Sequence, residues 1–392
     1  MSAIRVNKIR TVILISVILI LSNSCNQSTT DNIKNMDNIA TILENEVSKG
    51  RTPSVQYLFF NADTILYEYA KGYSDLKTGA KVDRNTTFNI LSITKTFTAI
   101  AIMQLEEKKL VSLEKPVKLY LPTSKISEKV LVRHLLTHTS GLANPLPISW
   151  IHLSSDHNKF NRDNFFNPIL EENNNLKTEP GQRFKYSNLG YLYLARIIET
   201  VTGISYEEYV SNNILDRLQL KTELDFKIQH ENLHAKGYHS NRSISMLLLN
   251  FMLDKSKSME ESVGKWKPFK QYYVNGAPYG GLISNSTGLV KYGQEMLKEN
   301  NLLISEKSKK LLFTENADGK GKNTGMCLSW FTGNLDKYRY VTHAGGGGGY
   351  YCELRLYPEL KSGSFIVFNK SGFSDKRFLD KLDIHLLEND AN

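Results

Sequence analysis

The side chains that could do chemistry stand in three short groups along this chain. Ser92 and Lys95 are three residues apart, Tyr186 and Asn188 are two apart, and His343 stands just before a run of glycines. On a helix, residues three apart are neighbours, so the Lys95 amine can reach the Ser92 hydroxyl. A serine hydroxyl needs an adjacent base to become a nucleophile, and a buried lysine with a lowered pKa can be that base. The groups together favour nucleophilic catalysis by Ser92.

The stretch after Ser92 predicts a helix. Its apolar positions have the spacing of one buried helix face: Ile93, Phe97, Ile100 and Ala101. Ser92 would then stand at the helix N-terminus, with Lys95 beside it. In the alternative interpretation, Ser92 only caps the helix and Lys95 is solvated.

Tyr186 and Asn188 follow the turn signal Glu179-Pro180-Gly181 and precede an amphipathic run, which predicts a loop entering a helix. A phenol there can relay a proton between Ser92 and a leaving group if cations lower its pKa. Asn188 can hydrogen-bond Lys95 and a substrate carbonyl. The alternative is a packed tyrosine followed by a helix-capping asparagine.

His343 precedes five consecutive glycines, Gly345 to Gly349, between two strand-like runs. No Lys-Ser or Lys-Thr closes this run, so it does not match a phosphate-binding loop. A strand without side chains lets a substrate lie against the backbone and presents N–H groups to a developing oxyanion. His343, Gly345 and Gly346 are therefore candidate substrate-binding residues.

In this order the three groups resemble the active-site elements of the serine β-lactamase and penicillin-binding protein superfamily. Two more segments, His134–Leu142 and Gly280–Ser284, are similar to its class C-like branch, so the resemblance covers most of residues 40–385. It implies a reaction without a cofactor. It also implies a structural role for His134 and His138, which as a pair without a third ligand are weak evidence of a metal site.

The resemblance further implies an acyl-enzyme on Ser92, with Lys95 and Tyr186 as its catalytic partners and an oxyanion hole made by the N–H groups of Ser92 and Gly346. Position 343 departs from the Lys-Thr-Gly of many β-lactamases, because His-x-Gly is found in some D,D-peptidases, D-aminopeptidases and esterases. A protonated His343 can bind a substrate carboxylate, but its charge is lost near neutral pH. We therefore expect a hydrolase acting on an amide or ester such as a D-amino-acid peptide. A β-lactamase is the alternative enzyme, and a non-catalytic binding or sensor protein is the alternative of another class.

The fold implied is α+β, an antiparallel sheet flanked by helices beside a mostly helical subdomain. Within a domain over residues 37–388, residues 37–120 and 275–388 hold most strand-like runs, Leu328–Thr332 among them, and residues 121–274 form the helical part. The site is expected in the cleft between the two parts.

The amino terminus predicts export. Residues 1–24 contain a basic start and an apolar core, Val12–Leu21, that is too short to span a membrane, as in a signal peptide. Ser24-Cys25 resembles a lipoprotein cleavage site, which implies a lipid anchor on Cys25 and a polar tether over residues 25–36. Ordinary signal cleavage is the alternative. Either way, the predicted location is the bacterial cell envelope, periplasmic or anchored to a membrane.

The formal charge of +9 falls to +6 when residues 1–24 are removed, because that segment carries three basic and no acidic side chains. The remaining basic residues are scattered and form no stripe typical of nucleic-acid binding. The expected partner is a small-molecule or peptide substrate, peptidoglycan-derived fragments included. Cys327 and Cys352 are expected as two unpaired buried thiols rather than a disulfide.

Overall fold

The computed structural model describes residues 36–390 except 146, 242 and 244–254. The predicted signal peptide, Cys25 and all but the last residue of the predicted tether lie outside the described residues. No helix within the described part of the chain is both long and apolar enough to cross a membrane.

A seven-stranded antiparallel sheet forms the centre of the fold, in the order β11-β12-β13-β14-β1-β2-β3. The strands are β1 Ser54–Asn61, β2 Ile65–Asp75, β3 Ala80–Lys81, β4 Thr87–Asn89, β5 Ile151–Leu153, β6 Leu224–Asp225, β7 Tyr238–Ser240, β8 Trp266–Pro268, β9 Tyr272–Val274, β10 Ile283–Asn285, β11 Phe331–Leu335, β12 Tyr338–Gly347, β13 Tyr350–Tyr357 and β14 Ser362–Phe368. The short strands outside the large sheet pair as β4-β10-β6, β5-β9 and β7-β8.

Helices cover the sheet and fill the region between β4 and β9. They are α1 (residues 36–48), α2 Thr94–Glu107, α3 Val117–Tyr120, α4 Val132–Leu136, α5 Arg162–Glu172, α6 Asn188–Thr202, α7 Tyr206–Val210, α8 Lys255–Ser258, α9 Ala277–Gly280, α10 Ser286–Leu297, α11 Glu306–Leu312 and α12 Asp380–Asp390. The predicted α+β class, a flanked antiparallel sheet beside a mostly helical part, is confirmed. The boundaries at residues 120 and 275 stay predictions.

Strand β1 shows why the sheet lies between two layers. Successive side chains of a strand point to opposite faces. Leu58 and Phe60 join the large core that contains α2 and α6, whereas Val55, Tyr57 and Phe59 join a second core with α1 and α12. Both faces are covered, so the sequence of β1 is an almost continuous apolar run rather than an alternating one.

Two local predictions differ from the structure. Helix α2 is buried on every side over Thr94–Leu105, not on one face, because it packs between the sheet and the helical part. The strand predicted over Leu328–Thr332 is β11, displaced to Phe331–Leu335. The chain before it cannot be extended, because Ser329 has a φ of 66° in the left-handed region.

Candidate active site

Ser92 lies on a tight turn that leads directly into α2. The turn is a single 3-10 segment, Leu91–Ile93, and α2 begins at the next residue, Thr94. Leu91 has a φ of 48°, a conformation that a residue with a branched side chain seldom adopts and that costs energy. The side chain of Ser92 makes no capping hydrogen bond to α2. The capping interpretation of Ser92 is therefore wrong.

Lys95 is fully buried, with 0% of its surface exposed. Its Nζ donates to Ser92 Oγ at 3.0 Å and to the carbonyl oxygen of Tyr279 at 2.8 Å. Burial lowers the Lys95 pKa well below its usual value, because the charged form loses its hydration. The interpretation with a solvated Lys95 is thus wrong, and burial favours the neutral amine, which is the form that could accept the Ser92 proton.

Tyr186 completes the contact with Ser92, since its hydroxyl donates to Ser92 Oγ at 3.0 Å. Lys95 Nζ lies 5.1 Å from the centre of the Tyr186 ring. Nevertheless, burial raises the Tyr186 pKa, and the hydrogen bond to Ser92 offsets this only in part. The predicted proton relay required cations to lower the Tyr186 pKa, whereas burial raises it. In this geometry Tyr186 donates a hydrogen bond to Ser92, and burial favours the neutral forms of both Tyr186 and Lys95.

Asn188 is the first residue of α6, beside the site, but it does not bond Lys95 as predicted. Its Oδ1 is buried without a hydrogen-bond partner among the described residues. The Lys95 amine is occupied by Ser92 and Tyr279 instead. An unpartnered buried oxygen is destabilising, so Asn188 Oδ1 is suited to accept a hydrogen bond from a substrate N–H. The predicted bond from Asn188 to a substrate carbonyl stays a prediction.

Tyr279 is a site residue that the sequence reasoning missed. Its contribution to Lys95 is a backbone carbonyl, which every residue has, so residue type carries no signal for it. Only its position could have identified it as a site residue, because Tyr279 immediately precedes the family-like segment Gly280–Ser284.

His343 lies at the site as a buried ring. It has 0% exposure, and its Nδ1–H donates to the carbonyl oxygen of Ser329 at 2.6 Å, so Nε2 carries no proton in the neutral ring. Burial lowers the His343 pKa to about 3. At neutral pH the ring is therefore uncharged and buried, in agreement with the expected loss of its charge, and carboxylate binding by the protonated ring stays a prediction.

The glycine half of β12 borders the nucleophile turn. β11 pairs with β12 only up to Thr342, so Gly345–Gly347 pair with β13 alone among the described strands and leave one strand edge open. A Cβ placed on Gly345 would lie 2.4 Å from the carbonyl oxygen of Ile90, whereas one on Gly346 would meet only Tyr351, at 3.7 Å. The bare backbone at Gly345 is what allows β12 to approach the turn that carries Ser92.

Gly345→Ala is therefore expected to lower stability by about 1–3 kcal/mol through overpacking. It should lower kcat/KM by about 10²-fold, because the Ser92 turn must shift. Gly346→Ala is the matched control for stability, which it should lower much less, because its Cβ would meet only Tyr351 at 3.7 Å. Urea denaturation and steady-state kinetics measure the two effects. An equal loss of stability in the two variants would contradict the explanation that Gly345 is needed for the close approach of β12.

The remaining predicted groups are structural. His134 Nδ1 accepts a hydrogen bond from the Leu131 N–H at 3.2 Å, at the start of α4. Cys327 and Cys352 are both buried and free, so the prediction of two unpaired thiols is confirmed. Within the described ranges, no three His, Cys, Asp or Glu side chains converge as a metal site would require.

Three buried histidines make the fold acid-sensitive. Burial lowers the pKa of His138 well below its usual value, that of His234 to about 4 and that of His343 to about 3. Above pH 6.5 both folded and unfolded chains hold these rings neutral, and the fold keeps its full stability. Below pH 6.5 the unfolded chain gains protons that the folded chain does not, so stability falls as pH falls.

From pH 7.5 to 5.5, the three histidines are expected to remove about 4 kcal/mol of unfolding free energy, about 1.4 kcal/mol per ring over the whole interval, with most of the loss below pH 6.5. Urea titrations at several pH values measure this slope. His234→Gln should reduce it by about a third, whereas His230→Gln, at an exposed position, should leave it unchanged. A slope that survives unchanged in His234→Gln would contradict the assignment.

Comparison with known proteins agrees with this geometry. The β-lactamase family model matches residues 39–388, so the chain belongs to the β-lactamase family. Its site has a serine in hydrogen-bonding contact with a lysine and a tyrosine, which are the groups that nucleophilic catalysis by serine would use.

Individual relatives are more distant. The chain is similar to penicillin-binding protein 4* of Bacillus subtilis (strain 168), at 27% identity over 317 residues, which cover 78% of this chain and 66% of that protein. It therefore spans slightly less than two thirds of that relative. An octameric penicillin-binding protein homologue from Pyrococcus abyssi matches with a TM-score of 0.69 and 25% identity, over 89% of this chain and 76% of the other. The D-amino acid amidase of Ochrobactrum anthropi SV3 has the same fold, with a TM-score of 0.73 and 18% identity over 91% and 99% of the two chains.

Proposed function

We propose that this chain is an exported hydrolase that forms an acyl-enzyme on Ser92 and cleaves an amide or ester, with D-amino-acid peptides as the substrate class. One observation carries the proposal: Ser92 Oγ accepts hydrogen bonds from both Lys95 Nζ and Tyr186 OH, each at 3.0 Å. A nucleophile with a base and an acid both in hydrogen-bonding contact has what acyl transfer needs.

Acylation begins when the neutral Lys95 amine takes the Ser92 proton as Oγ attacks the substrate carbonyl. The N–H groups of Ser92 and Gly346 hold the negative oxygen of the tetrahedral intermediate. Tyr186 then gives its proton to the departing amine or alcohol. The products of this half-reaction are the Ser92 ester, a lysine ammonium and a tyrosine phenolate.

Deacylation reverses these proton transfers. The Tyr186 phenolate, stabilised by the ammonium of Lys95, takes a proton from water while the hydroxide attacks the Ser92 ester. Lys95 returns its proton to Ser92 Oγ as that oxygen leaves. The three side chains regain their starting protonation states, and the acid product departs.

The state of His343 favours amides and esters without a free carboxylate next to the scissile bond over β-lactams. Its buried, neutral ring provides no positive charge for the carboxylate that penicillins and cephalosporins carry. The likeness to a D-amino acid amidase is a likeness of fold, and it supports the substrate class only in that such an activity exists on this scaffold.

The place of action is part of the proposal. The basic start, the apolar core and Ser24-Cys25 support export and a lipid anchor on Cys25. The cell envelope would bring the enzyme to peptidoglycan-derived peptides, which contain D-amino acids.

A substrate panel tests this function: D-alanyl-D-alanine peptides, D- and L-amino-acid amides, short p-nitrophenyl esters and nitrocefin. We expect measurable ester cleavage, a preference for the D-amide over its L-enantiomer, and weak nitrocefin turnover. Rapid nitrocefin hydrolysis would instead identify a β-lactamase. Equal rates on D- and L-amides would remove D-amino-acid peptides as the substrate class.

A further inference from the structure

His138 contacts the segment around Tyr186 on both sides of the phenol. Its carbonyl oxygen accepts from the Lys185 N–H at 2.7 Å, and its Nδ1 accepts from the Ser187 N–H at 3.1 Å. Lys185 and Ser187 are the residues immediately before and after Tyr186. The two hydrogen bonds therefore fix the backbone from which the Tyr186 side chain extends.

The ring of His138 also packs against the phenol itself. The His138 and Tyr186 ring centroids are 4.2 Å apart with an interplanar angle of 32°. His138 is 1% exposed, so no water layer separates the rings. Because Nδ1 accepts a hydrogen bond from a backbone N–H, the neutral ring carries its proton on Nε2.

The backbone conformation of His138 is unusual. Its φ of 54° lies in the left-handed region, where residues other than glycine are uncommon and asparagine, aspartate and histidine are the most tolerated. Such strain persists only where the surroundings enforce it, and it is concentrated at functional sites. In His138 this conformation directs both the backbone carbonyl oxygen and Nδ1 towards the segment that carries Tyr186.

We propose that His138 is a positioning residue for Tyr186: its flanking hydrogen bonds and its ring face hold the phenol hydroxyl on Ser92 Oγ. This inference rests on the proposed function, because it assigns Tyr186 the task of protonating the leaving group. It goes beyond the structural role that the resemblance implies for the segment.

The positioning role has a kinetic signature that a general loss of stability lacks. An amine leaves only when it is protonated, so amide cleavage depends on the placement of the Tyr186 hydroxyl. p-Nitrophenolate leaves without a proton, so acylation by the matching ester, the step that kcat/KM reports, does not depend on that placement. Displacing the hydroxyl should therefore slow the amide selectively.

His138→Asn isolates the contribution of the ring. Asparagine tolerates a positive φ, and its Oδ1 can still accept from the Ser187 N–H. In the full chain, we expect kcat/KM to fall about 10- to 100-fold for an amide, and less than about threefold for the p-nitrophenyl ester of the same acyl group. His134→Asn, in the same segment but without a contact to Tyr186, should keep the amide-to-ester ratio of the wild type. An equal fall for both substrates, or no change for either, would overturn the proposal.

A second measurement separates this inference from the proposed function. With ¹³Cζ-labelled tyrosine, the NMR resonance that Tyr186→Phe removes should shift in His138→Asn and stay in place in His134→Asn. This readout needs no turnover, so it tests the contact even if the wild type cleaves neither substrate, the result that would defeat the proposed function. An unchanged Tyr186 resonance in His138→Asn would overturn the positioning role.

Discussion

Ser92→Ala is expected to lower kcat by at least about 10⁴-fold on any substrate that the wild type turns over. It should also abolish covalent labelling by a fluorophosphonate or a fluorescent penicillin. The reason is that Ser92 Oγ is the atom on which the Lys95 and Tyr186 hydrogen bonds converge, each at 3.0 Å. Steady-state kinetics and the mass of the intact protein after labelling measure the two effects.

The chain contains a matched control for this experiment. Ser262 also stands three residues before a lysine, Lys265, but Ser262 is exposed and lies in no helix. Ser262→Ala should label and turn over substrate like the wild type. A wild type that gains no covalent mass from either probe would favour the non-catalytic binding protein, and a labelled Ser92→Ala would place the nucleophile elsewhere.

Removing the Lys95 amine should lower kcat about as much as removing the Ser92 hydroxyl. Because the base and the nucleophile act as one unit, Lys95→Ala and the double variant are expected to be about as inactive as Ser92→Ala. Additive losses in the double variant would mean that Lys95 acts on a different step.

Arg355→Met is expected to destabilise the fold by about 3–5 kcal/mol, the usual result of removing one partner from a buried ion network. The Arg355 side chain is 1% exposed; it bonds Asp380 at 2.6 Å and Glu353 at 3.1 Å. Tyr57, Tyr357 and Ser364 donate to the neighbouring Asp383. This network joins α12 to the central sheet, and without the guanidinium its carboxylates stay buried without their cation.

Urea denaturation measures this loss. Arg377 provides the control, because it pairs with the same Asp380 at 2.5 Å but its side chain is 73% exposed. Arg377→Ala should leave the unfolding midpoint nearly unchanged, since solvent screens such a pair. A similar midpoint for the two variants would show that burial does not decide the strength of this network.

Much of the site could be predicted from local patterns. The loop before Asn188 was predicted as the structure has it. The predicted helix start at Ser92 is a 3-10 turn directly before α2. The strand predicted for the glycine run ends at Gly347, because Gly348 and Gly349 form the turn to β13. These features act over a few residues, through side-chain type, helix spacing and the conformational needs of glycine. That is why the nucleophile turn and the bare strand are visible in the sequence alone.

The proton chemistry was decided only by the tertiary structure. Lys95 bonds the carbonyl oxygen of Tyr279, 184 residues away, and not the amide of Asn188. The neutral state of His343 and the raised pKa of Tyr186 come from burial by distant segments. A carbonyl oxygen is common to every residue, and burial is a property of the packed chain. The sequence therefore determined which groups meet at the site, and their packing decided which of them hold protons.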